Sequence, residues 1–284
     1  MNRWRKLLAM ISSTSTLAQV WELAAVVGVY SMLPVWKEHS GYRDILDVPS
    51  DMSTSLSMIV GLLLVFRTNA AYARWWEARQ LWGQLVNVSR NLVIKCRTLV
   101  QPPEHELQSF GELIVQFAKS LQVHLRVLGD ARRTLSSFQG SHVPLQTATE
   151  IYEQLANWKV RKLIDGETLL VIDNDAQQLL NVCGGCERIV NTPMSPSYRT
   201  FVRLCIMLYL LSLPWGLTHE FGYWTIPLTT ILAYFMIGFE IIAESVEEPF
   251  GHDDDDLDLE GICRAIETSV QNITRSDSGR SGRT

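Results

Sequence analysis

Near the end of the 284-residue chain, Asp253, Asp254, Asp255, Asp256 and Asp258 crowd together. Carboxylates this dense can hold a hard cation through oxygen ligands. A solvated acidic loop is the other reading, because like-charge runs commonly just face water. Asp254, Asp255 and Asp258 also spell DDxxD, the pattern by which magnesium-dependent prenyl-transfer enzymes hold diphosphate across bridging metal ions. Neither a second Asp-rich motif nor a basic phosphate clamp accompanies it, which sets the enzyme reading behind the others. Cys183-Gly184-Gly185-Cys186 has the CxxC spacing of a redox pair or half a zinc site. With no second pair and no βαβ context, small-residue helix packing accounts for it better. His39, His105, His124, His142, His219 and His252 are scattered singly, so no multi-histidine site is legible.

A different chemistry is suggested by Met58, Leu62 and Phe66. Placed at i, i+4 and i+8, they form one nearly straight line along a helix. Packing against a neighbouring helix is the plain reading of such a stripe, and the wall of a pore is the alternative. Glu22 and Glu240 lie within or near apolar stretches, where an ionised carboxylate is costly and usually faces a cavity or a partner; Arg67 and Arg74 are the candidate partners. Glu240, Glu244 and Glu247 share one helical face, an acidic surface that would favour cations.

The elements that must position these residues are membrane helices. Hydrophobic residues make up 47% of the chain, and they are bunched in Leu17 to Trp36, Met52 to Phe66, Leu204 to Leu217 and Trp224 to Ala243. A spanning helix needs roughly 20 mostly apolar residues, since every backbone amide in hydrocarbon must be bonded within the segment. The two shorter runs must borrow polar flanks, which is safe only inside an assembly. Arg3, Arg5 and Lys6 before the first run and Arg67, Arg74 and Arg79 after the second outweigh Lys37 and Arg43, so both termini are expected in the cytosol. The apolar core after Lys6 is too short for a secretory signal. Five cysteines facing a reducing cytosol or the bilayer give no disulfide framework, and a net charge of −5 excludes polybasic nucleic-acid binding.

Between the second and third runs the sequence reads as a water-soluble helical body. Helical signal continues through Gly83 towards Leu92, and Pro102-Pro103 close it. Leu107, Phe110, Ile114, Phe117, Leu121, Leu125 and Leu128 recur at three- and four-residue steps, one buried stripe with a polar back. Helices are expected over Leu145 to Leu163 and Glu167 to Val190, and nothing alternates as strand. Thr192-Pro193-Met194-Ser195-Pro196 breaks the chain before the third span. The expected organisation is an N-terminal segment 1–16, a hairpin of two spans 17–83, a cytosolic helical region 84–196, a second hairpin 197–246, an acidic turn and helix 247–273, and a tail 274–284.

At this point the residues themselves carry a likeness. Phe66-Arg67-Thr68-Asn69-Ala70-Ala71-Tyr72-Ala73-Arg74-Trp75-Trp76-Glu77-Ala78-Arg79, followed by Leu81-Trp82-Gly83, resembles the signature of bacterial bestrophin homologues. Gly185-Cys186-Glu187-Arg188-Ile189 with Thr192-Pro193 and Tyr198, and Glu247-Glu248-Pro249-Phe250-Gly251 with the Asp run, resemble the same family in order and spacing. The resemblance implies a homopentamer embedded in membrane lipid around one central pore. Met58, Leu62 and Phe66 fall on its hydrophobic neck, Met194 on a lower constriction, and Arg67, Asn69, Tyr72, Arg74 and Trp75 on the signature that supports the neck. In animal bestrophins the Asp run forms a calcium clasp, and Asp253 and Asp256 occupy its side-chain ligand positions. Met stands where relatives often have Ile or Phe, Ser195-Pro196 where Pro-Phe is common, and His252 where animal members have an acid.

The expectation is therefore an all-α integral membrane protein of four spans in the bacterial inner membrane. It would be a passive channel for small monovalent ions, not an enzyme, with calcium as the one candidate cofactor. Animal members conduct chloride and bacterial relatives look cation-permeable; the acidic cytosolic body leans this chain towards cations. A non-conducting membrane scaffold or receptor is the competing class, and it would need the apolar stripe only for packing.

Overall fold

The apolar and amphipathic periodicities are realised as helices throughout the computed structural model, which describes residues 15–40, 50–133, 142–253 and 255–275. The basic cluster Arg3, Arg5 and Lys6, Arg43 in the first outer loop, Asp254 of the acidic run and tail residues 276–284 lie outside these. The helices are α1 (Ser15–Tyr30), α2 (Met32–Glu38), α3 (Ser50–Lys95), α4 (Glu104–Arg133), α5 (Val143–Val160), α6 (Gly166–Asn191), α7 (Pro196–Phe221), α8 (Thr225–Glu247) and α9 (Leu259–Arg275). They divide into two compact units, 1–73 with 194–247 and 74–193 with 248–284.

In the first unit, Ala24, Val60, Leu64, Val202, Ile206 and Ala233 help form the core. Its helices α1 and α8 pack so closely that a Cβ on Gly28 would lie 2.3 Å from Thr230 Oγ1. The expected unbroken first span, Leu17 to Trp36, is corrected to two helices interrupted at Ser31. Pro34 has no N–H to return to the Tyr30 carbonyl, and Ser31 turns its hydroxyl onto the Gly28 carbonyl at 2.6 Å. Between α7 and α8 the chain reverses at Gly222, whose φ of +48° is one that L side chains rarely adopt.

Among the described residues two helical stretches, Ser53–Val100 and Pro196–Glu247, hold apolar windows long enough to cross a membrane. Only 22% and 28% of those windows are buried within the chain. Core helices of a water-soluble protein would be mostly covered, so this apolar surface needs another solvent or partner.

The second unit begins partway along α3, where Trp75, Ala78 and Trp82 already join its core. Gly83 leaves the helix unbroken, and α3 runs on into one π turn, Cys96–Val100, closed by Gln101 at φ +51° ahead of Pro102 and Pro103. The amphipathic stripe of α4 is buried from Leu107 to Leu125, with Leu128 half-buried at its end. It packs with Trp82, Ile151, Leu155, Trp158, Leu179 and Ile266. Glu106 ties two helices: Trp158 Nε1 donates to its carboxylate at 2.6 Å and Arg161 Nη1 at 2.7 Å. Asp165 caps α6 by accepting the Thr168 amide at 2.6 Å, which explains why the Asp165-Gly166 pair starts a helix.

The candidate pore face and the charge cluster behind it

Helix α3 has two distinct faces in the first unit. Met58, Leu62 and Phe66 are 79%, 55% and 57% exposed, so the stripe is not packed into its own chain. Val60, Leu64, Arg67 and Ala71 are buried. At about 100° per residue the three exposed positions centre roughly 170° from the four buried ones. The helix thus turns a bulky apolar line directly away from its own core.

Arg67 is fully buried, and its guanidinium organises the ends of two other segments. Its Nη1 lies 2.8 Å from Glu247 Oε2 and its Nε 3.4 Å from Glu240 Oε2. The same Nη1 donates to the thioether of Met194 at 2.7 Å, while the Met194 amide donates to Glu247 Oε1 at 3.1 Å. Arg203 extends the cluster, with Nε 3.0 Å from Glu240 Oε1 and Nη2 2.6 Å from Glu244 Oε1. The half-buried Met194, expected at a lower constriction, is therefore held at both its sulfur and its backbone.

Two expectations change here. Glu240, Glu244 and Glu247 do not form an open acidic face, because Glu240 and Glu247 are buried and all three carboxylates are paired with Arg67 or Arg203. Arg74 has a role in the second unit. It donates to the carbonyls of Thr192, at 2.5 Å, and Ile189, at 2.7 Å, fastening the end of α6 within the second unit. Of the remaining signature residues, Asn69 and Tyr72 are exposed and Trp75 packs against the second unit's core. Glu22 is exposed.

The acidic run makes a turn. The Asp253 amide donates to Asp256 Oδ2 at 2.7 Å, and the Asp256 amide to the Asp253 carbonyl at 3.1 Å. Asp258, the last residue of DDxxD, accepts the Gly261 amide at 2.8 Å and so opens α9. A carboxylate spent on a helix start is poorly placed to bridge metal and diphosphate.

The CxxC pair is packing material. Cys183 and Cys186 are buried, and a Cβ on Gly185 would meet the δ carbons of Leu81 at 3.0 Å. Burial, more than the nearby Glu187 carboxylate, pushes the Cys183 thiol up to about 12, and Cys186 is raised by burial as well. A redox pair needs an accessible thiolate, which these residues lack. The histidines are not all solitary: His124 and His142 meet at Glu187. Their separations in sequence match no motif, so only tertiary structure brings them together.

The chain matches the family model for bacterial and fungal bestrophin proteins over residues 1–272. It is 33% identical over 231 residues to a voltage-dependent anion channel-forming protein of Nostoc sp., covering 77% of this chain and 75% of that one. To a protein of the same description from Escherichia coli K12 it is 31% identical over 275 residues, covering 93% and 86%. A solved bacterial bestrophin homologue from Klebsiella pneumoniae has the same fold, with a TM-score of 0.83 at 23% identity over 90% of this chain and 99% of that one. With the signature around Arg67, the two long under-buried apolar stretches and these likenesses together, the chain is an all-helical membrane protein and belongs to the bacterial and fungal bestrophin family.

Proposed function

We propose that this chain is one subunit of a membrane ion channel that passively conducts small monovalent ions. Copies would gather as a homopentamer with Met58, Leu62 and Phe66 facing a shared axis. The observation that carries this reading is the outward apolar line on α3, set opposite the buried seam that contains Arg67. An exposed line of large side chains costs free energy until something covers it. Several copies around an axis would cover it and ring a passage narrow enough to gate by wetting and dewetting. Four spans with both termini in the cytosol are the reading of the apolar bunching and the basic flanks, and the likeness to bacterial bestrophins supports the inner membrane as the location.

The neck bears no fixed charge and does not choose between anions and cations. The names of the Nostoc and Escherichia coli relatives favour anions. Pairing of Glu240, Glu244 and Glu247 with arginines takes away an open acidic face as a reason to favour cations and leaves only the acidic cytosolic body on that side. We assign Met194 to a second constriction, held in place by Arg67 and Glu247. Calcium at Asp253 and Asp256 is a further element of the proposal, supported by the closeness of the two residues, the Asp253 amide donating to the Asp256 carboxylate at 2.7 Å.

Purified protein in planar bilayers tests the reading. Single-channel steps whose conductance changes with Leu62→Ala are expected, and a reversal potential in asymmetric KCl reports the preferred sign. Silence across independent preparations, or steps indifferent to substitutions at Met58, Leu62 and Phe66, would favour a non-conducting scaffold.

A further inference from the structure

Three helices of the second unit bring metal-binding side chains to one point. His124 lies on α4, His142 stands at the start of α5, and Glu187 is near the end of α6. Nε2 of His124 is 2.8 Å and Nε2 of His142 is 2.7 Å from the same oxygen, Glu187 Oε1. The two imidazoles lie face to face, with centroids 4.4 Å apart and planes tilted by 38°. All three ligand atoms fall within 4.8 Å of one another. The His124 side chain is only 5% exposed, so its Nε2 meets Glu187 largely away from solvent.

We propose that His124, His142 and Glu187 bind a divalent transition-metal ion of the zinc type, leaving a coordination position for water. Two imidazoles and one carboxylate are the ligand set of open zinc sites, and their mixed nitrogen and oxygen character suits zinc and cobalt better than magnesium or calcium. An ion about 2.0–2.1 Å from each donor in tetrahedral geometry would space the donors roughly 3.3 Å apart. The present contacts must therefore open by about half an ångström, within the reach of small side-chain rotations. Cys183 Sγ borders the set, 3.7 Å from the same Glu187 oxygen.

Binding has a local cost that the structure identifies. The His142 ring accepts the Leu145 amide at Nδ1, 3.1 Å away, which places the proton of the neutral ring on Nε2. When Nε2 takes the ion, that proton passes to Nδ1 and the Leu145 amide turns to water. Leu145 is exposed in the first turn of α5, where water can take over as acceptor. Access comes from the His142 side, whose side chain is 38% exposed, while His124 borders a groove of about 960 Å³ with Ser120, Val123 and Val143. A bound ion would pin α4, the start of α5 and α6 together and raise stability by mass action.

Full-length protein in detergent, stripped with EDTA and titrated with Co²⁺, tests this. One Co²⁺ per chain with the intense d–d bands of four- or five-coordinate cobalt is expected, with the bands abolished by Zn²⁺. His142→Ala and Glu187→Gln should each lose them, while His105→Ala, remote in sequence and exposed, keeps them. Because His142 also caps a helix, elution profile and helical circular dichroism of both variants establish that they fold. Spectra resembling the hexaaqua ion, or uptake equal in the folded variants and the parent, would overturn the proposal and leave a purely hydrogen-bonded triad.

Discussion

Replacing Arg67 with Met removes the charge and keeps much of the volume, so it isolates what the buried guanidinium does. The two carboxylates it faces are almost as buried as it is, with side-chain exposures of 8% for Glu240 and 1% for Glu247. The variant withdraws the guanidinium from both of these buried carboxylates, while Arg203 still reaches Glu240. Removing one partner of a buried pair typically costs about 3–5 kcal/mol. At about 2–4 °C per kcal/mol for a chain of this size class, thermal inactivation should fall by roughly 6–20 °C. The assay is loss of the assembled species by size-exclusion chromatography after heating in detergent. Arg67→Met with Glu240→Gln and Glu247→Gln should recover most of the loss, since the cost lies in the unpaired charge and not in the missing bond. A loss below about 1 kcal/mol in the single variant, or a triple variant no better than the single, would refute the reasoning.

Other outcomes follow from the second unit and the helix contacts. Gly261→Ala would set a Cβ 2.1 Å from Asp258 Oδ2, displacing the cap of α9 at a cost of about 1 kcal/mol, readable as a lowered melting temperature. Gly28→Val should disrupt the packing of α1 on α8 more severely, because even a methyl would lie 2.3 Å from Thr230 Oγ1; recovery by Thr230→Gly would confirm the contact. The Arg161 bond first, then that of Trp158, holds the Glu106 carboxyl below its usual value. A depressed folded value means the stabilisation is complete above the ordinary Glu value of about 4.3 and is lost as pH falls through the folded one. Glu106→Gln should therefore flatten the acid limb of the stability profile below about pH 4 and leave a pH-independent deficit above it. Burial pushes the Cys263 thiol up to about 11, so alkylation at pH 8 in the folded protein should be far slower than in urea.

Much of this architecture was legible because membrane helices and amphipathic helices write their periods into the sequence. The α4 stripe from Leu107 to Leu125 is such a local pattern, and the structure keeps it. The Ser31 interruption was hidden because Pro34 sits inside a run whose apolar count looks continuous, and counting does not see a missing N–H. Pairing was hidden for a different reason. Arg67 and Arg74 are equivalent in charge, yet one is drawn to Glu240 and Glu247 and the other to two carbonyls at the end of α6. Which carboxylate an arginine meets depends on how helices distant in sequence are brought together, and no spacing rule encodes it. The same holds for His124, His142 and Glu187.

The charge cluster also answers a problem that an apolar helix cannot solve by itself. In hydrocarbon, turning one greasy face inward is worth little more than turning another, because lipid tails are as apolar as leucine. A helix bearing Met58, Ile59, Leu62, Leu64, Val65 and Phe66 could pack in several rotations of nearly equal free energy. Arg67 removes that freedom. Only one rotation puts its guanidinium against Glu240, Glu247 and the Met194 sulfur, and every other takes the buried charge of Arg67 away from these groups. Phe66 is the preceding residue, so fixing Arg67 inward sends Phe66, and with it Leu62 and Met58 one and two turns back, outward. The buried ion pairs thus act as the register of the exposed line. On the proposal that this line faces a pore, Arg67→Met should alter single-channel conductance in planar bilayers even though Arg67 does not stand on the line, and an unchanged conductance would count against the register role.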